Sequence, residues 1–406
     1  MFNILYRPRL PNGKHVPLNW SLKLYRWTNI ICWPLEDNAP HWFYFFDRFL
    51  WFLGFLSFVV HNDAELRYLR VYFNNLDEML TGVPTYLVLI ELHLRAFSLG
   101  WRKNDFKKLL KKFYAEILLK SESVNLKLFK KIQRQMWPIL TFSLLYFLAL
   151  NSYIVTAVYV LATNRRELLY KMIPTVDYKN NFYIYFPLLM SNIWVGFIVT
   201  TMMFGEGNTL GLLIFNLNGR YLMMRETFKQ KVDTILKSNL NSNIVEKYER
   251  VLRETLKENL RLNKFAREIQ DEFSFRIFVM FSFSAISLCA LGFKVYTSPV
   301  NSIGYAFWAI GKIQEILAFG QLGSTIISTT DQLSTMYYES KWEIVIERSS
   351  NTPDNVKLLK FVTLSIVTNR KPFHFTGLNF FNVSLVSVVA ILQGAGSYFT
   401  FLISLR

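Results

Sequence analysis

Two ionisable residues inside an otherwise apolar run, Lys312 and Glu315, form the most unusual chemistry-bearing pair in this 406-residue sequence. Three residues apart on a helix, they share a face and can neutralise each other. An ionised group in hydrocarbon costs several kcal/mol unless it is paired. The plain structural reading is a pair turned toward the protein interior; the sharper one places it, with Gln314 beside it, on a solvated cavity or ligand pocket. Catalytic signatures are absent: there is no Walker-type glycine loop, no His-Glu-x-x-His, no Cys-x-x-Cys and no Gly-x-Ser-x-Gly. His15, His41, His61, His93 and His374 are too scattered to form a metal-ligand set by spacing. Gly205, Gly207 and Gly211 follow no strand, so close helix packing explains them better than phosphate binding. Cys32 and Cys289 are not expected to form a structural disulfide. These residues point away from an enzyme, a metal and a cofactor.

Binding chemistry is easier to assemble. Met79, Val83, Tyr86, Tyr146, Tyr153, Asn192, Phe307 and Trp308 combine aromatic and thioether bulk with a few hydroxyl and amide groups. Brought together in a helix bundle, such residues surround an apolar cavity with a few polar groups to orient its occupant. The expected occupant is a small, mostly hydrophobic molecule.

The elements that must position these residues follow from composition. With 52% hydrophobic and 17% aromatic residues, the chain has more apolar surface than a water-facing fold can hide. Seven stretches are long enough to cross about 30 Å of hydrocarbon as helices. They are His41–Val60, Phe73–Gly100, Met136–Ala162, Tyr183–Gly205, Phe273–Phe293, Ile303–Ser328 and Phe373–Leu405. Asp47 and Arg48 interrupt the first, and Asp77, Glu78, Glu91, His93 and Arg95 interrupt or flank the second, which suggests helices leaning on neighbours with charges at headgroup depth. Met1–Pro40 lacks the apolar core and cleavage site of a signal peptide, so the first span is expected to target the chain.

The net charge of +17 would suit nucleic acid were it not so unevenly distributed. With a cytosolic N-terminus, the inner segments hold 34 Lys and Arg and the outer segments 8. That bias follows the positive-inside rule, and seven crossings then leave the C-terminus outside. The orientation is opposite to that of the G-protein-coupled receptors, and no Asn-Pro-x-x-Tyr occurs in the seventh span. The reading is an all-α membrane protein in contact with lipid and not with nucleic acid.

Between the spans, Lys103 to Arg134 reads as a basic amphipathic helix, with Phe106, Leu109, Leu110, Phe113 and Ile117 opposite Lys107, Lys108, Lys111 and Lys112, attracted to anionic headgroups. Arg220 to Glu272 carries mixed charges at helical spacing and an apolar face of Val245, Tyr248, Leu252 and Leu256. The fourth and fifth spans are therefore expected to extend into a cytosolic bundle, packing on apolar residues of Tyr337–Ile346 and Val356–Val367.

Beyond the sixth span come Tyr338-x-x-x-Trp342, then Lys371-Pro372, then Ser397-Tyr398-Phe399-Thr400 near the end. In this order, with an inverted seven-helix layout and this length, the chain resembles the insect odorant receptors; the remainder resembles them in topology alone. The resemblance implies a ligand-gated, non-selective cation channel in which an odorant-binding subunit assembles with the common co-receptor Orco into a tetramer. It implies a pore lined by the outer part of helix seven, with Phe401 and Leu405 at hydrophobic gate positions and Ser404 at the polar position beside them. Phe401 and Leu405 are four residues apart, which puts them on one helical face, able to close a pore by dewetting. The second cytosolic loop lacks the co-receptor's long insertion, which favours a tuning subunit located in the dendrite membrane of an olfactory neuron. A gustatory receptor, the alternative in the same superfamily, would carry a Gln-Phe after the Ser397-Tyr398 position, which is missing. A transporter would show repeat symmetry or paired broken helices. The expected organisation is an N-terminal cytosolic segment (1–40), six spans with cytosolic extensions and a pocket in their outer half (41–372), and helix seven (373–406).

Overall fold

The computed structural model describes residues 4–28, 33–119, 130, 134, 136–163, 165–238, 243–297, 299, 302–349 and 351–404. Three of its long helices start at residues suited to a helix N-terminus. The Asn75 side chain accepts from the Glu78 amide (3.3 Å), opening a helix at Leu76, and Asn181 accepts from the Tyr183 amide (2.9 Å), opening another at Phe182. Pro138 occupies the first turn of a helix that starts at Trp137, where its missing N–H leaves no bond unmade.

The described helices are α1 (Trp20–Thr28), α2 (His41–Val71), α3 (Leu76–Trp101), α4 (Lys103–Lys112), α5 (Trp137–Ala162), α6 (Phe182–Lys237), α7 (Ile244–Thr297), α8 (Ile303–Tyr338), α9 (Trp342–Glu347), α10 (Thr352–Thr368) and α11 (Leu385–Ser404). Five of them, α2, α5, α6, α7 and α11, are long and apolar enough to cross a membrane. Helices α3 and α8 have the length, and Glu91, Arg95, Lys312 and Glu315, the charges in their middle turns, are buried within the protein. Glu91 and Arg95, expected at headgroup depth, are sequestered among helices α3, α6 and α8 instead.

Several helices outrun the apolar stretches that announce them. Helix α2 continues past Val60 to Val71, while α6 runs on from Gly205 to Lys237. Gly205, Gly207 and Gly211 are packing positions: a Cβ at each would lie 2.1 Å from Tyr25 of α1, 2.7 Å from Phe142 of α5 and 2.0 Å from Ile139 of α5. The extended halves of α6 and α7 bundle with α8, α9 and α10. Phe228 meets Tyr337 edge-on at 5.8 Å, and Val232, Tyr248, Leu252, Val345, Leu358 and Val362 are buried around them.

Two further expectations change in the structure. The basic helix ends as a π turn, Phe113–Ile117, rather than continuing to Arg134; residues 120–129, 131–133 and 135 lie outside the described residues. Its apolar face, Phe106, Leu109, Leu110, Phe113 and Ile117, is buried in the protein core, and its lysines meet carboxylates: Lys112 binds Glu268 at 2.6 Å, while Lys107 and Lys111 both bind Asp37. Hydrogen bonds from Lys107 and Lys111 hold the Asp37 carboxyl down to about 2. The second change is at the seventh helix, which begins at Leu385 and not at Phe373. After Pro372 the chain makes a small hairpin, β1 (Thr376–Gly377) against β2 (Phe381–Asn382), turned by Leu378 and Asn379 in the left-handed region. The hairpin docks on α7, where Gln270 exchanges 2.9 Å bonds with the Thr376 backbone.

Candidate ligand-binding site

A small cavity of about 50 Å³ lies between α2, α3, α5, α6 and α8. Each helix contributes the face its periodicity dictates: Thr85, Val88 and Leu89 from α3; Tyr146, Ala149, Leu150 and Tyr153 from α5; Gly196, Val199, Thr200 and Met203 from α6. Trp308 of α8 and Glu65 of α2 complete the helical wall, and Tyr170 enters from the connection between α5 and α6. That connection is tied to α2, since the Ile173 amide donates to the Ala64 carbonyl at 2.9 Å. Gly196 leaves room for this ring: a Cβ there would sit 2.2 Å from the Tyr170 hydroxyl, which would have to shift.

Of the residues singled out by sequence, Tyr146, Tyr153 and Trp308 line this cavity. Met79, Val83 and Tyr86 are half-buried elsewhere on α3, because they are out of phase with the Thr85–Val88–Leu89 face. Phe307, one residue from Trp308, packs against the core from another direction. Asn192 is fully buried one turn along α6 from Gly196, where its amide donates to the Leu188 carbonyl (3.1 Å) and lies 3.7 Å from the Met172 sulfur. Phe401 and Ser404 are exposed on α11, far along the chain from the cavity wall, and Leu405 lies outside the described residues.

Glu65 was not singled out by sequence. Its residue exposure is 1%, and among the described residues neither carboxyl oxygen receives a hydrogen bond of good geometry, the Thr85 hydroxyl being its neighbour. The Thr85 hydroxyl, which shares the cavity wall, donates to the Gly82 carbonyl (3.0 Å). The signal was available in His61, Ala64, Glu65 and Tyr68, whose helical spacing marks one buried face of α2. Tyr170 carried no periodic signal, because the connection that holds it has no regular structure.

At one end of the cavity begins a buried ionic network. The Tyr146 hydroxyl donates to Glu315 at 2.6 Å. Lys312 lies 3.2 Å from Glu315 and 2.8 Å from Glu91, and Arg95 bridges Glu91 (2.9 Å) to Glu206 (2.7 Å). Arg276 continues it, 3.0 Å from Glu206 and 2.6 Å from Glu272, which reaches Arg102 at the exposed edge. Four carboxylates thus face four cations, so the cluster is neutral as a whole and can be buried. Lys312 and Glu315 do meet, as their spacing suggests, and they do so as part of this larger set joining α3, α6, α7 and α8.

Helix α8 carries Trp308 in the cavity and Lys312 and Glu315 in the network, and further along it receives α11. A Cβ at Gly320 would lie 2.5 Å from Val388, and one at Gly323 would lie 2.0 Å from the Val383 backbone oxygen. Only glycine permits this approach of the segment leading into α11.

A family model described as 7tm Odorant receptor matches residues 75–396. Odorant receptor 74a of Drosophila melanogaster is 45% identical over 401 residues, 99% of this chain and 99% of that protein. The chain belongs to the insect odorant receptor family. Odorant receptor 35a of the same fly is 38% identical over 405 residues, 99% of this chain and 98% of its own length. The fold of this odorant receptor is similar to that of the olfactory receptor OR5 from Machilis hrabei solved in complex with eugenol. The TM-score is 0.74 at 12% identity, covering 96% of this chain and 100% of that one. The receptor is a helical membrane protein of that architecture, and the family is not one of enzymes.

Proposed function

We propose that this receptor is the odorant-binding subunit of a ligand-gated, non-selective cation channel, with a cytosolic N-terminus, seven membrane-crossing helices and an extracellular C-terminus. A small volatile molecule binds in the cavity between α2, α3, α5, α6 and α8, and binding opens a pore lined by the outer part of α11 in a tetramer formed with Orco. The cytosolic bundle holds the subunits together, and the assembly resides in the plasma membrane of an olfactory dendrite.

The observation that carries this reading is the continuity of α8. One helix walls the cavity with Trp308, enters the ionic network through Lys312 and Glu315, and meets the approach to α11 at Gly320 and Gly323. From Trp308 to Gly323 is about 22 Å along the helix at 1.5 Å per residue. A displacement of α8 by a ligand is therefore delivered to the pore helix without an intermediary. Helix α11 itself leaves Val386, Val389, Tyr398 and Phe401 exposed and buries Val388 and Ala395, as suits a helix with further partners in an assembly. The 34-to-8 charge bias supports the orientation.

A cavity of about 50 Å³ is small beside ligand pockets of roughly 300–1,000 Å³. A larger volatile must displace flexible lining such as Met203, which converts binding into helix movement. Recording from cells that express the chain with and without Orco, across a panel of volatiles, tests the proposal. Evoked cation current that requires both subunits is expected. Surface-expressed receptor that gives no evoked current in Orco's presence overturns it.

A further inference from the structure

The cavity wall is apolar except at a few points, and Glu65 is the one whose chemistry demands a partner. We infer that Glu65 is the specificity-determining residue of the cavity, accepting a hydrogen bond from a ligand that carries a donor head group, an aliphatic alcohol being the class that fits. The inference rests on the cavity being the odorant site, and it names what that site selects.

The argument begins with burial. A buried polar group left without a hydrogen bond costs about 1–3 kcal/mol, and a carboxyl is among the costlier side chains to leave so. Glu65 is 1% exposed, and among the described residues neither oxygen receives a hydrogen bond of good geometry: the Thr85 hydroxyl lies beside the carboxyl but donates to the Gly82 carbonyl. Glu65 also differs from the other carboxylates buried in the bundle: Glu91, Glu206, Glu272 and Glu315 all face a cation, while no ion pair among the described residues reaches Glu65. The Tyr153 hydroxyl, on the same cavity, has Tyr305 beside it and makes no hydrogen bond of good geometry among the described residues.

A carboxyl group retains acceptor capacity whether protonated or ionised. A ligand hydroxyl can therefore donate to Glu65 in either state while accepting from Tyr153, with its alkyl chain against Val88, Leu89 and Leu150. A hydrocarbon or an ether of the same size fills the apolar part and leaves Glu65 unpaired. Sites built to hydrogen-bond a ligand group reject analogues lacking it because their own buried polar atoms are then stranded.

The test compares a 1-alkanol with the methyl ether of equal heavy-atom count, in cells co-expressing Orco, on wild type, Glu65→Leu and Glu65→Gln. Wild type should respond to the alkanol at a concentration roughly tenfold or more below that for the ether, the equivalent of one hydrogen bond. Glu65→Leu should bring the two within about twofold, chiefly by weakening the alkanol, while Glu65→Gln, which keeps a carbonyl acceptor, should retain most of the preference. Equal potency in wild type, or an alkanol preference that survives Glu65→Leu, overturns the inference and leaves the channel reading standing. If surface-expressed wild type gives no evoked current, the channel reading fails on its own, and thermal stabilisation of purified receptor by the two ligands decides the role of Glu65. Alkanol-selective stabilisation lost in Glu65→Leu supports it; equal stabilisation by both ligands overturns it. Ligand-free Glu65→Leu should melt no lower than wild type, because an apolar side chain of similar size replaces an unsatisfied carboxyl.

Discussion

Replacing Lys312 with methionine should destabilise the receptor severely, and restoring charge balance nearby should recover most of the loss. Lys312 is 1% exposed and lies 2.8 Å from Glu91 and 3.2 Å from Glu315, both fully buried. Without it, Glu91 still has Arg95 at 2.9 Å, but among the described residues Glu315 keeps only the Tyr146 hydroxyl at 2.6 Å as a direct partner. Removing one partner of a buried pair costs about 3–5 kcal/mol, because a charge remains without compensation. That is roughly a hundredfold or more in the folded-to-unfolded ratio. In the double variant Lys312→Met/Glu315→Gln, the amide is neutral and can still accept from Tyr146. It should regain about 2 kcal/mol or more, a strongly non-additive cycle. The assay is thermal loss of monodisperse receptor in detergent, measured on wild type, both single variants and the double. A Lys312→Met variant as stable as wild type would refute the reasoning, and so would a double variant whose losses simply add.

Other consequences follow from the same geometry. Gly323→Ala forces a Cβ against the Val383 backbone oxygen, which cannot rotate away, so a loss of about 1–3 kcal/mol and reduced evoked current are expected; melting and current recordings check both. Phe401→Ala and Leu405→Ala should each raise basal current or alter ion permeation if these residues close the pore, and unchanged gating and permeation would remove them from the constriction. Asp37 binds its proton more weakly in the folded chain, at about 2, than the roughly 3.9 of a free aspartate. Its contribution to stability is therefore complete above about pH 4 and lost as pH falls through about 2. Asp37→Asn should flatten that part of the acid-denaturation profile, and its exposure to solvent keeps the effect modest.

The sequence makes the helical skeleton legible because apolar stretches of spanning length are hard to use otherwise. It reveals helix ends less well, and for identifiable reasons. The extension of α6 is legible from the helical spacing beyond Arg220, whereas that of α2 past Val60 to Val71 is not, because Asp63, Arg67 and Arg70 read as a solvated link. The start of α11 is displaced by a hairpin whose left-handed residues are Leu378 and Asn379, with no glycine at either position to announce the turn. Within the cavity, Tyr146, Tyr153 and Trp308 are visible as aromatic residues in apolar stretches. Glu65 is concealed because Asp63, Arg67 and Arg70 around it make the segment read as a solvated link, although Asp63 and Arg67 pair with each other at 2.6 Å and leave Glu65 on the inner face. The ionic network is half legible: Lys312 and Glu315 stand out by spacing, whereas Glu91, Arg95, Glu206 and Arg276 join them only once four helices are packed.

That a volatile acts from the cavity between α2, α3, α5, α6 and α8 is tested most directly by filling it. Ala149 is 6% exposed on the cavity wall, and Ala149→Phe places a ring where the ligand would lie. With surface expression and Orco assembly matched to wild type, the concentration of volatile needed for half-maximal current should rise at least tenfold, or the response should vanish. An unchanged concentration–response curve would contradict the account.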